Sequence, residues 1–373
     1  LRDGDRSMHA GLGVHRAVGH VDGEIARALE GRDALAQADI DALLLDLDGT
    51  PSLERLGANA ILATSLAVCR AAAVSQSLPL FSYIAALSGT ARPSLPMPMV
   101  NILSGGAHAR LGMDVQDFLI VPVGATSFDT ALRIALDVRR AADAVLAKRG
   151  YSTLLADEGG LSPGCDVSTD ALDLLIEAIE TAGLEPSRDV AIAIDVAATG
   201  LFADGIYAWR NERVRRTTGE MIDMVLDWQR RYPVVSVEDA LHEDDWAGWR
   251  RLVDAAPDLQ IVGDDLFATN VERIRRGIAT TAANAALIKL NQNGTLSGTL
   301  EAIAAARAAG FGTIVSARSG ETDDAFIADL AVGTSAGQIK IGSVRASERM
   351  AKYNALVRIS EASLPFAGVA RSR

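Results

Sequence analysis

Lysine is almost missing from this chain. Only Lys148, Lys289, Lys340 and Lys352 occur among 36 basic residues, and the rest are arginines. Each surviving lysine is a candidate for chemistry that the permanently charged guanidinium cannot perform. Aromatic residues are few, at 5%. The two cysteines, Cys69 and Cys165, lie far apart and form no metal motif. They read as free thiols of a reducing, cytoplasmic setting, with a bond between them as the alternative. No apolar run approaches the ~20 residues that a membrane helix needs, so no membrane partner is expected. Positive charge is in deficit: 48 acids against 36 bases give a net charge of −12. General affinity for nucleic acid is therefore not expected, because phosphate backbones attract an excess of Lys and Arg. No Gly-x-Gly-x-x-Gly follows the first strand-like run, which leaves a dinucleotide fold without its fingerprint. The chain opens on Leu1 rather than methionine, with no visible signal peptide, and residues preceding Leu1 are expected.

What is present is ordinary globular composition, 49% hydrophobic over 373 residues, long enough for two domains or a large barrel with an appendage. Residues 1 to about 90 carry apolar residues at helical spacing over 14–29, 40–46 and 59–74. The alanine-rich stretch 58–73 is a strong helix former. Three prolines in the segment 92–98 make a stiff, extended connector and a domain boundary, dividing 1–91 from 92–373. Beyond it the pattern changes. Short apolar runs at 99–103, 118–121, 190–194, 234–237, 260–262, 286–288, 313–315 and 338–341 alternate with amphipathic stretches. The helices are read over 127–148, 169–182, 218–232, 271–277, 295–309 and 323–333. This alternation predicts an α/β fold with a parallel sheet, most economically a closed (β/α)8-type barrel, with an open doubly wound sheet as the alternative.

The residues that follow the apolar runs carry the chemistry. One run ends in Asp195, the next in Glu238-Asp239, the next in Asp264-Asp265, the next in Lys289; later runs lead into Ala317-Arg318-Ser319 and Lys340. In a parallel barrel these positions meet at the C-terminal rim, where active sites lie. Acids after three consecutive strands repel one another unless something neutralises them, and oxygen ligands without His or Cys favour Mg²⁺. The plainer reading, that each acid caps the next helix, suits one strand better than three in a row. Lys289, facing such a cation, can take a proton alpha to a carboxylate, and Lys340 can hold that carboxylate. A structural ion pair is the plainer reading for either lysine; their scarcity tilts the balance. The loop Asp157-Glu158-Gly159-Gly160 offers Glu158 as the acid that helps a hydroxyl leave. Arg318 and Ser319, beside Gly320, make a forked cation and a hydroxyl suited to a phosphate. His108, in the flexible loop after the first barrel strand, is weak on its own.

These runs together resemble the enolase family. The matching segments are Leu56-Gly-Ala-Asn-Ala-Ile61, Asp157-Glu-Gly-Gly160, Val235-Ser-Val-Glu-Asp239 with Glu243-Asp-Asp-Trp246, Gly263-Asp-Asp-Leu266, Lys289-Leu-Asn-Gln292, Arg318-Ser-Gly-Glu-Thr322, Gly337-Gln-Ile-Lys340 and Ser347-Glu-Arg349. The resemblance runs along essentially the whole chain. It implies a modified (β/α)8 barrel with a smaller α+β N-terminal domain, here truncated, and a homodimer. It implies Asp195, Glu238 and Asp264 as Mg²⁺ ligands, Lys289 as base and Glu158, with Asp117, on the acid side. Lys340 would clamp the substrate carboxylate; Arg318, Ser319 and His108 would meet the phosphate, with Gln116 beside them.

Four departures stand out. The family's N-terminal strands and closing loop would precede Leu1. Ala317 stands where the family has a histidine. The family's Gln-Glu pair is Gln116-Asp117, one methylene shorter. Asn-Gly-Gly and Glu-Asp-Pro have become Ser104-Gly105-Gly106 and Glu238-Asp239-Ala240. Changes gathered around the substrate, with base and metal ligands retained, suggest preserved chemistry on 2-phosphoglycerate or on a related phosphonate acid, as in a carboxyphosphonoenolpyruvate synthase. A non-catalytic enolase-like binding protein is the rival, and retention of Lys289, Glu158 and the three acids speaks against it.

Overall fold

A computed structural model describes residues 1–368. All eight apolar runs form strands, seven of them slightly longer than the periodicity indicated and β3 shifted by one residue: β1 (Met97–Ser104), β2 (Asp117–Val121), β3 (Ala191–Asp195), β7 (Val234–Glu238), β8 (Gln260–Gly263), β9 (Ala285–Ile288), β10 (Gly312–Ser316) and β11 (Gly337–Gly342), the numbers β4–β6 going to a small separate sheet. They close into one barrel in the order β1-β11-β10-β9-β8-β7-β3-β2. The strands are buried nearly throughout, as expected of strands covered on both faces. Inside the barrel Met97, Met99, Leu119, Val121, Val262, Leu287 and Ile314 pack together. A larger apolar layer joins the outer strand faces to the surrounding helices.

One expectation is corrected. The sheet is not wholly parallel: β2 runs antiparallel to both β1 and β3. The physical reason is the connection. Parallel neighbours need a crossover, usually through a helix. Between β1 and β2 lies only the loop 105–116, with a single 3₁₀ turn at Gly106–Ala109. The chain therefore turns back.

The helices of the barrel match the amphipathic stretches, and local signals explain their ends. Phe128–Arg149 starts at a Ser127 cap and stops at left-handed Gly150. Thr218–Arg231 opens with a capping box between Thr217 and Glu220. Two further helices, Trp246–Ala255 and Ser347–Ser360, and the small antiparallel sheet β4-β5-β6 (Phe202–Ala203, Ile206–Trp209, Val214–Arg216) were not read from sequence.

Among the described residues before β1 there are helices, including Gln37–Asp48, Ala58–Ser75 and Leu80–Leu87, and turns, with one isolated bridge between Leu95 and Phe366. Ala58–Ser75 is long and apolar enough to cross a membrane by length and composition. Here one face of it packs inward through Ala60, Ile61, Cys69, Ala72 and Ala73. Ile25, Ile40, Leu44, Leu56 and Ile61 form a small core of their own. This region also caps a barrel helix. Ser65 Oγ accepts from Leu296 N (3.0 Å) and Asp41 Oδ2 from Ser297 N (2.9 Å), satisfying otherwise unpaired amides of helix Leu296–Ala308. Cys69 and Cys165 are both free and buried.

Candidate functional site

Strand register brings the charged residues together. Asp195 pairs with Glu238 across β3 and β7, and Ser316 with Lys340 across β10 and β11. Because β2 is reversed, its first residue, Asp117, sits beside Asp195, the last residue of β3. A cavity of about 200 Å³ opens at this rim. It is lined by His108, Gln116, Glu158, Asp195, Asp239, Asp264, Asp265, Lys289, Ser316, Ala317, Arg318, Ser319 and Lys340, among others. Ten of the residues singled out from sequence thus share one wall; Asp117 and Glu238 lie just behind it.

The two lysines are turned onto the acids. Lys340 Nζ bonds Asp195 Oδ2 (2.7 Å) and Glu238 Oε2 (2.8 Å). Lys289 Nζ bonds Asp264 Oδ2. Gln116 donates to the same Asp195 Oδ2 (3.2 Å), Asp195 Oδ1 accepts from Ala197 N (3.1 Å), and Gln292 donates to the other oxygen of Asp264, Oδ1 (3.0 Å). Burial opposes the charge of Lys340, but Asp195 and Glu238 outweigh it and hold the ammonium well above its usual range. Burial likewise opposes ionisation of Asp195, and Lys340 overrides it, keeping that carboxyl low. Glu238 shares the same lysine less successfully: burial, then the charge of Asp195, pushes it up to about 8. Its Oε1 is buried without a hydrogen-bond partner.

That orphaned oxygen tests the fit of a divalent cation. Three carboxylates from adjacent strands, with one acceptor unspent and two lysines acting as counter-ions, form an oxygen-only donor set of the hard-cation type. Asp195, Glu238 and Asp264 could hold Mg²⁺. Asp239, Asp264 and Asp265 also bring carboxylate oxygens within 4.8 Å of one another. Asp239, however, is already committed. Its oxygens accept from Asp264 N (3.0 Å) and Asp265 N (2.7 Å).

On the other side, Glu158 is buried, with Arg349 3.9 Å away. Burial, then the nearby charge of Asp117, raises its carboxyl above the ordinary range, which favours a proton-bearing acid. Arg318 donates to Asn291 Oδ1 (2.9 Å). Fully buried Arg349 donates to the carbonyls of Arg318 (2.6 Å), Ser319 (2.7 Å) and Ile341 (3.0 Å), so one guanidinium braces the Arg318-Ser319 turn and stands beside Glu158. Ala317 is 5% exposed and presents only its methyl group to the cavity.

Sequence reasoning missed Asp239, Asp265, Gln292 and Arg349 as members of the site. The doubled acids Glu238-Asp239 and Asp264-Asp265 were visible, but which of each pair supports the other depends on the turn: Asp239 is left-handed, at φ +43°.

Comparison with known proteins agrees with this architecture. Residues 92–370 match "Enolase, C-terminal TIM barrel domain", and residues 1–84 match "Enolase, N-terminal domain". The protein named "Enolase" from Acidothermus cellulolyticus is 52% identical over 373 positions, covering 99% of this chain and 86% of that protein.

Proposed function

Since this chain belongs to the enolase family of lyases, we propose that it is a Mg²⁺-dependent hydro-lyase that dehydrates 2-phosphoglycerate or a close analogue to an enol phosphate. The observation that carries this reading is the convergence of two lysines, the buried strand-end acids Asp195 and Asp264 and the Arg318-Ser319 pair on one small cavity, with Glu238 bonded to Lys340 just behind it. Lys289, as the neutral amine, takes the proton from C2 of the substrate. Glu158 gives its proton to the C3 hydroxyl, which leaves as water as the C2–C3 double bond forms. Lys340 holds the substrate carboxylate; Arg318, Ser319 and His108 receive the phosphate. A Mg²⁺ held by Asp195, Glu238 and Asp264 would supply neutralisation of the negative charge that builds on the carboxylate.

The name and 52% identity of the Acidothermus protein support phosphoglycerate. A phosphonate substrate of the carboxyphosphonoenolpyruvate type has no support among the comparisons; the small Ala317 is the one feature in its favour. The same proposal includes the division into 1–91 and 92–373, with the matched ranges 1–84 and 92–370 in its support, and a cytoplasmic homodimer, as the family implies. The test is turnover of 2-phosphoglycerate with Mg²⁺, followed by the ultraviolet absorbance of the conjugated product. Turnover of about 1–1000 s⁻¹ is expected. None, despite Mg²⁺ binding, would reject this substrate.

A further inference from the structure

Asp117 opens β2 at the site rim, yet it does not line the cavity. Its side chain is fully buried, and its oxygens are taken up from the sides. Oδ1 accepts from Asn101 Nδ2 (2.5 Å) and Ser104 Oγ (2.8 Å), both on β1. Oδ2 faces His108 Nδ1 at 2.9 Å. His108 does line the cavity. With Nδ1 engaged, Nε2 is the ring nitrogen left for a ligand.

The loop that carries His108 is tightly rooted. Gly105 N donates to Gln116 O (2.8 Å) and Gly106 N to Met113 O (2.9 Å). A Cβ on Gly105 would lie 2.4 Å from Val115 O, so the root has no slack. Its tip is less protected: Ala107, Arg110 and Leu111 are exposed. At His108 itself the side-chain tie to the barrel is the Asp117 pair, and the His108 carbonyl accepts from Asp157 N (3.2 Å), next to Glu158. Further along, the loop is also held to the turn 210–212, where Asn211 Nδ2 donates to Leu111 O (3.1 Å) and the Asp114 carboxylate accepts from Arg210 N, Asn211 N and Glu212 N.

We propose that Asp117 is a positioning residue for His108: it latches the 105–116 loop to β1 and holds the imidazole as an anion-binding cation facing the cavity, and does not itself exchange protons with substrate. The shortness of the side chain suits this role. An aspartate reaches Asn101, Ser104 and His108 together, and its charge is spent behind the ring. Burial works against a cation at His108, and Asp117, with Glu158 and Asp195 further off, more than compensates, raising it to about 9.

The kinetic arm of the test rests on the phosphoglycerate reading; the structural arm does not. Asp117→Ala removes latch and charge together. Amides 106–111 of the metal-free protein should exchange with deuterium at least about tenfold faster, since a charge-assisted bond of this kind holds about tenfold or more in equilibrium. Asp117→Asn keeps the shape and can donate to a neutral ring, so exchange should stay within about threefold of wild type. In both variants KM for 2-phosphoglycerate should rise about tenfold or more, with kcat within about tenfold. A kcat loss of the 10²–10⁴-fold size typical of a lost acid or base, with KM and loop exchange unchanged, would overturn the proposal and make Asp117 a catalytic residue. Unchanged exchange in Asp117→Ala would also overturn it. Should the wild type fail to turn over 2-phosphoglycerate, that failure belongs to the substrate reading, and exchange in Asp117→Ala decides the latch.

Discussion

Mg²⁺ should bind this protein more tightly as pH rises, and Glu238 sets the scale. Its carboxyl is enclosed, and burial together with the charge of Asp195 pushes it up to about 8. At pH 7 roughly nine molecules in ten then carry a proton on Glu238 when no cation is bound. A cation held by Asp195, Glu238 and Asp264 needs that proton gone. Below pH 8 the apparent affinity should therefore fall about tenfold per unit, and two units cost about 3 kcal/mol. Lys340 stays protonated throughout, because Asp195 and Glu238 hold it well above its usual range, so it adds no second slope. Titration calorimetry with Mg²⁺ in two buffers of different ionisation enthalpy reads the effect directly. Close to one proton should be released per ion at pH 7, falling to about a half near pH 8 and towards none at pH 9. Folding depends on pH with the opposite sign. A carboxyl whose folded pKa lies above its unfolded value loses stability as pH climbs from about 4.5 to 8. The metal-free protein should soften over that window, and Mg²⁺ should restore it most at the upper end. An affinity flat from pH 6 to 9, with no proton released, would refute the assignment of Glu238 as a ligand burdened by its neighbours.

Three shorter expectations accompany it. Lys289→Ala should lower kcat for 2-phosphoglycerate by at least about 10²–10⁴-fold, measured by product absorbance, while the protein still binds Mg²⁺ in calorimetry. Asp239→Asn cannot accept from both Asp264 N and Asp265 N, since its amide nitrogen is a donor; Mg²⁺ affinity should fall about 10–100-fold, and an unchanged affinity would show that the turn holds without it. Asp329, at the contact between helices Phe326–Gly333 and Leu80–Leu87, accepts from Phe81 N (3.1 Å), and burial pushes its carboxyl up to about 6. Its cost to stability grows as pH rises from about 4 to 6, so Asp329→Asn should raise the thermal midpoint at pH 7, by roughly 1–3 kcal/mol in stability, and leave pH 4 nearly unchanged.

Much of the site was legible because barrel strands are short, wholly apolar and end in a charge. Asp195, Glu238, Asp264 and Lys289 each follow such a run at once, and the rule that parallel strands share a functional rim needs nothing more. Support from elsewhere was not legible. Arg349 comes from helix Ser347–Ser360, far along the chain from Glu158, and only packing shows that it braces Arg318 and Ser319. The sheet β4-β5-β6 escaped because its strands are only two to four residues long and, at Val214–Arg216, largely arginine. The pairing of Lys340 with Asp195 and Glu238 also lay beyond reach, since it depends on register across the barrel.

Asp117 shows where that rule misleads. An acid that opens a strand belongs, in a parallel barrel, to the end away from the site. Here the loop 105–116 carries a single 3₁₀ turn and no crossover helix, and β2 is reversed, so its first residue arrives where its neighbours end. Reversal also turns the strand's pleat. Gln116 donates to Asp195 at the cavity wall, while the next side chain points the other way, towards Asn101, Ser104 and His108. The two residues differ by one position and by one face. A rule counting charges at strand ends groups them; strand direction and a period of two separate them, placing Gln116 on the cavity wall and Asp117 behind His108.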